Sequence, residues 1–159
     1  MTMLNDIEQF NAEFRGFFWA DGYIYLHIDR QWKEKKQCWI WIVRLAFRIQ
    51  QRDDNIQILE NIKSRYGGGI YRSKKYTKCV SGSEGNPSAT WQVGSKKDVR
   101  KVLEILEGGV MGAKKQQELG IIREALDIVD GRGSTYSKEE SSRLIELENN
   151  LKASRVYKD

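Results

Sequence analysis

The chain opens with apolar residues three and four positions apart: Ile7, Phe10, Phe14, Phe17 and Phe18. That spacing places them on one buried stripe of a helix that starts near Asn5 or Asp6. Gly16 and Ala20 fall four apart on a neighbouring face, where nothing larger than a methyl separates the backbone from a packing partner. The helix stops at Asp21-Gly22, with the glycine expected to supply a left-handed turn. From Tyr23 the period changes to two. Ile24, Leu26 and Ile28 face one way, while Tyr23, Tyr25, His27 and Asp29 face the other, as in a half-buried strand. After a polar turn, Gln31 to Gln37, a second alternating run extends from Cys38 to Gln50. Trp39, Trp41, Val43, Leu45, Phe47 and Ile49 line one face; Ile40, Ile42, Arg44, Ala46, Arg48 and Gln50 line the other. The two runs predict an antiparallel hairpin.

The cycle then repeats. Asp53 or Asp54 is expected to cap a helix through Ile56, Leu59, Ile62 and Tyr66, closed by Gly67, Gly68 and Gly69. A second hairpin follows, with a strand from Ile70 to Cys79 that turns Tyr71 inward and Arg72, Lys74, Tyr76 and Lys78 outward. Its return strand, Ala89 to Gly94, turns Trp91 and Val93 inward and Thr90 and Gln92 outward; the loop between holds Pro87, the chain's one proline. Ser95 caps a helix with Val99, Val102, Leu103 and Leu106 on its apolar face. Another helix spans about Ala113 to Val129, carrying Leu119, Ile122 and Leu126. Beyond a linker, Asp130 to Thr135, the pair Ser137 and Glu140 forms a capping box for a last helix with Leu144, Leu147 and Leu151. The expectation is an α+β chain with one four-stranded antiparallel sheet: a core over residues 1–130, then a linker and C-terminal helical surface extension over 131–159.

Composition narrows the function classes. The chain has 159 residues, enough for one domain with a real core, and a net charge of +5. Its pI is near 9.2, but 27 basic side chains are diluted by 22 acidic ones, so basicity alone says little about a partner. No segment approaches a membrane span, and Met1 to Phe10 lacks a basic-then-apolar signal pattern. Cys38 and Cys79 have neither CxxC spacing nor a histidine cluster, which argues against a disulfide or zinc site and for buried or incidental thiols in a reducing, intracellular compartment. His27 is the single histidine, too few for a His-based metal site or a Ser-His-Asp arrangement by itself.

Two features suggest chemistry. Asp21 lies at a helix C-terminus, where the helix dipole disfavours negative charge, so the carboxylate wants a cation. The plainer alternative is a simple Asp-Gly turn between helix and strand. Tyr25, His27, Arg44, Arg48, Gln50, Arg72, Lys74, Lys78, Thr90 and Gln92 share the outward side of the sheet. Arg and Lys bind phosphates or guanine edges, Gln pairs with adenine, and a β-ribbon fits the major groove. The alternative is an ordinary solvated sheet face, and Ile40 and Ile42 on that side dilute the charge.

The string Phe14-Arg-Gly-Phe-Phe-Trp-Ala-Asp-Gly22 resembles the motif of the LAGLIDADG homing endonucleases, site-specific DNA-cutting enzymes carried by introns and inteins. Phe14 matches the leading Leu, Gly16 the first Gly, Phe17 and Phe18 the apolar pair, and Ala20-Asp21-Gly22 the terminal Ala-Asp-Gly. Arg15 replaces the small second residue, and Trp19 replaces the first acidic one. The resemblance covers most of Phe10 to Val129 and implies an αββαββα fold with a saddle-shaped sheet. Single-motif members are homodimers in which the motif helices pack at the dimer axis, here through Gly16 and Ala20, over a long, partly symmetric duplex target. It further implies that Asp21 and the Ala20 carbonyl bind magnesium, with manganese or calcium as substitutes for binding. Gln51 falls where the family places a polar residue that orients active-site water, and Asn55 where many members carry a second basic residue. Lys114-Lys115-Gln116 resembles the family's basic run; Lys115 is the catalytic candidate with Lys114 as alternative, although the alignment can also place Ala113 there. An intron-splicing maturase and a cleavage-inactive DNA-binding protein of the same fold stay open, and a basic structural protein ranks last.

Overall fold

The computed structural model describes residues 3–73, 87–109, 111–133 and 135–155. Its elements are α1 (Met3–Asp21), β1 (Gly22–Lys33), β2 (Cys38–Arg52), a 3-10 turn (Asp53–Asn55), α2 (Ile56–Tyr66), β3 (Gly69–Arg72), β4 (Ser88–Val93), α3 (Lys96–Glu107), α4 (Ala113–Val129) and α5 (Lys138–Ala153). The strands form one four-stranded antiparallel sheet in the order β1-β2-β4-β3. By its contacts the chain divides into two compact units, one of Met1–Tyr23 with Ala46–Met111 and one of Ile24–Leu45 with Gly112–Asp159.

In the first unit, α1, α2 and α3 accompany β3, β4 and the second half of β2. The core is aromatic where α1 enters it. Phe14 meets Trp91 edge-on at 5.7 Å and Tyr66 at 4.5 Å, and Phe18 meets Phe47 edge-on at 5.6 Å, geometries that suit the ring quadrupoles. The polar ends of the buried rings are paired: Trp91 Nε1 donates to the Gly67 carbonyl at 2.9 Å, and the Tyr66 hydroxyl donates to Asn11 Oδ1 at 2.5 Å. Burial pushes the Tyr66 phenol up to about 12, against the opposing pull of Arg15 and Arg65. Helix α2 ends on Gly67 and Gly68, both at positive φ, and a Cβ on Gly68 would press within 2.3 Å of the Gln92 carbonyl. Ser95 caps α3 as expected, accepting from Asp98 N at 3.2 Å.

In the second unit, α4 and α5 pack against each other, and Leu119, Ile122, Leu126, Leu144, Leu147 and Leu151 are buried. The Ser137/Glu140 capping box is present, and the backbone N–H of Ser137 holds the Glu140 carboxyl below its usual range. Arg143 reaches from α5 to Glu124 on α4 through two hydrogen bonds, at 2.7 and 3.0 Å.

Several expectations need correction. Helix α1 begins at Met3, and Ile7 is exposed instead of joining the buried stripe. Neither Asp53 nor Asp54 caps α2: a 3-10 turn leads into it, and its N-cap, Asn55, makes no side-chain cap. Gly22 does not have positive φ. It is required for space, because a Cβ there would lie 2.4 Å from the Phe18 ring and 2.5 Å from the Phe18 carbonyl. Of the two cysteines expected to be buried or incidental thiols, Cys38 is free and exposed, which leaves the incidental reading, and Cys79 lies outside the described residues.

Candidate functional site

The end of α1 gathers the first group of site residues. Asp21 is the last residue of the helix, is exposed, and has no Lys or Arg in its own last turn. The helix carbonyls there carry the negative end of the dipole, so the acid adds charge to a region that is already negative. Gln51, near the end of β2, donates from Nε2 to Asp21 Oδ2 at 3.1 Å, and Asn55 Nδ2 donates to Gln51 Oε1 at 3.4 Å. The sheet explains why Gln51 points that way. It stands opposite Ala89, whose side chain is fully buried, and directly opposed residues share a face, so Gln51 turns to the helix-covered side while Gln50 and Arg52 turn away.

Two motif residues that depart from the family pattern have readable places. Arg15 Nε donates to the Ile105 carbonyl at 2.6 Å and lies against the glycines after α3, where a Cβ on Gly109 would fall 2.4 Å from its Cδ. A guanidinium there satisfies a terminal carbonyl and favours the negative end of α3. Trp19 is 49% exposed, and Gly16 and Ala20 are exposed with it on α1.

The lysines belong to the second unit, in the first turn of α4. Lys114 is exposed, whereas Lys115 is half-buried with Nζ 3.9 Å from Glu118 Oε2. Burial lowers the Lys115 pKa; Glu118 pulls it back up, and Arg155 and Lys114 push it down.

Strand register shows which of the expected outward residues share a side of the sheet. Arg48 stands opposite Gln92 and Gln50 opposite Thr90. Arg48 Nε donates to Gln92 Oε1 at 2.6 Å, and Gln50 Nε2 donates to Ser88 Oγ at 3.0 Å. The third strand differs by one position from the expectation. Tyr71 stands opposite Thr90 and is 60% exposed, while Arg72 stands opposite buried Ala89 and pairs with Asp53 Oδ1 at 3.6 Å. Tyr71 therefore belongs to the outward face and Arg72 to the other. Lys74 and Lys78 lie outside the described residues. On β1, Tyr25 and His27 lie side by side with ring centroids 6.2 Å apart, and Arg44 on β2 is exposed.

The family model for the LAGLIDADG endonuclease matches residues 14–126, most of the chain. The chain belongs to the LAGLIDADG endonuclease family. No curated protein matches the sequence at a significant level. Solved structures share the fold. I-SmaMI bound to uncleaved DNA target in the presence of calcium ions is 17% identical with a TM-score of 0.70, over 90% of this chain and 45% of that one. The chain thus spans about half the length of I-SmaMI. The homing endonuclease I-TnaI is 20% identical with a TM-score of 0.68, over 91% of this chain and 94% of that one. I-CvuI in complex with its target in the presence of calcium is 18% identical with a TM-score of 0.65, over 96% and 85%.

In this LAGLIDADG chain, sequence reasoning missed the tip of the first hairpin. Trp32 and Trp39 meet edge-on at 5.5 Å, and the Arg30 guanidinium sits 4.6 Å from the Trp39 ring centre. Lys33, Lys35 and Lys36 surround the turn beside a cleft of about 340 Å³ that Trp32 and Ile40 also line. The signal was present in the sequence as an aromatic and lysine-rich turn, but alternation alone classed it as a polar loop.

Proposed function

We propose that the protein is a site-specific double-stranded DNA endonuclease that works as a homodimer with a divalent cation. Membership of a family of DNA-cleaving nucleases supports the reaction class. The observation that carries the rest is Asp21: an exposed carboxylate at a helix C-terminus, gripped by Gln51, beside the small residues Gly16 and Ala20. The donors suit a hard cation, since the Asp21 carboxylate and the Ala20 carbonyl are oxygen ligands in a turn without a basic residue. Among the described residues no three His, Cys, Asp or Glu side chains converge. One chain therefore offers part of a coordination shell, and the second Asp21 of a homodimer would extend it.

Magnesium bound there would draw charge from the scissile phosphate and acidify a bound water. Asp21 and the Ala20 carbonyl hold the ion; Gln51, backed by Asn55, fixes the carboxylate and orients water. Lys115, with Lys114 as alternative, supplies positive charge and a mobile proton. Residues 1–130 carry the nuclease core, with 131–159 as its helical extension. Arg48, Gln50, Tyr71, Thr90 and Gln92 in the first unit are the base-reading candidates, and Tyr25, His27 and Arg44 are those of the second, where the basic hairpin tip is a further phosphate contact.

The test is to incubate the purified protein and magnesium with a library of random duplex sites and to sequence the cut ends. The ends are expected to converge on one long site with partial twofold symmetry. A protein that leaves every duplex intact but binds structured intron RNA would instead be a maturase. That second reading is favoured by one observation, the replacement of the first motif acid by Trp19.

A further inference from the structure

Glu118 is a carboxylate with 3% exposure on α4, and nothing proposed above uses it. An acid is buried in ionised form only when its charge is paired and its oxygens are hydrogen-bonded. Three groups meet it. Lys115 Nζ is 3.9 Å from Oε2, Arg155 Nε is 3.8 Å from Oε1, and Ser154 Oγ donates to Oε1 at 3.2 Å. Ser154 closes α5, so one carboxylate ties the end of the last helix to the first turn of α4.

That helix end is itself fixed to β1. Arg155 also donates to the Ile24 carbonyl. Two turns earlier, Glu148 accepts from Ile28 N at 2.5 Å and lies 3.5 Å from His27 Nδ1. β1 is an edge strand, and these contacts give two of its backbone groups side-chain partners.

We propose that Glu118 is a positioning residue for Lys115, held in that role by Ser154 and Arg155 at the end of α5. The inference rests on the assignment of Lys115 to the cutting machinery. Glu118 draws the lysine head to one side of a half-buried stem, and Arg155 shares the same carboxylate, so the two cations compete for it. The charged groups that act on Lys115 are Glu118 and Lys114 from its own helix and Arg155 from the end of α5. Removing the acid and removing the arginine must therefore move the lysine in opposite directions, an outcome that a merely structural role for either residue does not produce.

The experiment uses the full chain with lysines labelled at Cε, titrated by NMR, alongside the pH profile of duplex cleavage. Glu118→Gln keeps the shape and the acceptor for Ser154, and is expected to lower the Lys115 midpoint by about one pH unit. Arg155→Gln, at a less buried position, is expected to raise the midpoint by about as much, and Arg155→Lys to restore it. The cleavage profile follows each shift. Midpoints that stay put, or that move in the same direction in both variants, overturn the proposal. Lys115→Met separates the two ideas. If that variant cuts at the wild-type rate, the catalytic assignment of Lys115 fails; if it is inactive while the midpoints stay put, the coupling fails.

Discussion

Gly16 and Gly22 lie six residues apart in one motif, and the protein uses them differently. Gly22 is accounted for within its own chain, since any side chain there would strike Phe18. At Gly16 a Cβ would meet nothing within 4 Å. A glycine inside a helix costs about 0.5–1 kcal/mol relative to alanine. That cost brings the isolated chain no packing benefit at Gly16. The two faces of α1 thus differ: Phe14 and Phe18 build the core, while Gly16 and Ala20 are exposed, and it is there that a second α1 would approach in the proposed homodimer.

The comparison can be broken at several points. The largest expected effect is at Asp21, beside the exposed Gly16 and Ala20. Asp21→Asn should lower the cleavage rate by about 10³-fold, equivalent to about 4 kcal/mol of transition-state stabilisation, with duplex binding retained in gel-shift assays. Normal cutting by that variant would remove the metal assignment. Gln51→Leu strips Asp21 of its hydrogen bond and should cost about 10–100-fold in rate, with the melting temperature unchanged because the position is at the sheet's end.

Gly22→Ala sharpens the contrast from the other side. The clash with Phe18 should destabilise the fold by about 1–3 kcal/mol in urea denaturation, whereas Gly16→Ala should leave stability equal or slightly higher. A smaller effect is expected with pH. Lys115 titrates below the 10.5 of a free lysine, so the unfolded chain binds the extra proton between those two values. Its contribution to stability therefore rises with pH across that window. Lys115→Met should lack that rise, read as the difference between the two proteins in urea melts at a series of pH values. Tyr66 works the opposite way, losing stability from 10 toward 12, and is common to both proteins.

How legible each part was follows from how local its causes are. Helices α3 and α5 carry their own start signals in Ser95 and in the Ser137/Glu140 box and begin where the sequence reading put them, and α4, with its uninterrupted apolar period, has the expected span. The Tyr71 and Arg72 faces were inverted because aromatic character suggested burial, whereas pairing with Thr90 and Ala89 decides the register. Arg15 looked like a mere departure from the motif; its partner, the Ile105 carbonyl, lies ninety positions away. Glu118 reads in sequence as one more solvated helix acid, since the Ser154 and Arg155 that surround it come from the far end of another helix. Gln51 was a site candidate only through the family resemblance, and its hydrogen bond to Asp21 was not expected, because no local pattern links a helix end to a strand thirty residues later.

The most direct measurement is sedimentation of Gly16→Leu together with its cleavage of the selected duplex. Leucine is a better helix former than glycine and has open space in the single chain, so the account predicts a folded protein with an equal or higher melting temperature. It also predicts that this variant is a monomer without double-strand cutting activity, while the wild-type chain sediments as a dimer. A Gly16→Leu protein that still dimerises and cuts, or a wild-type monomer that cuts both strands, contradicts the claim that a second α1 completes the site.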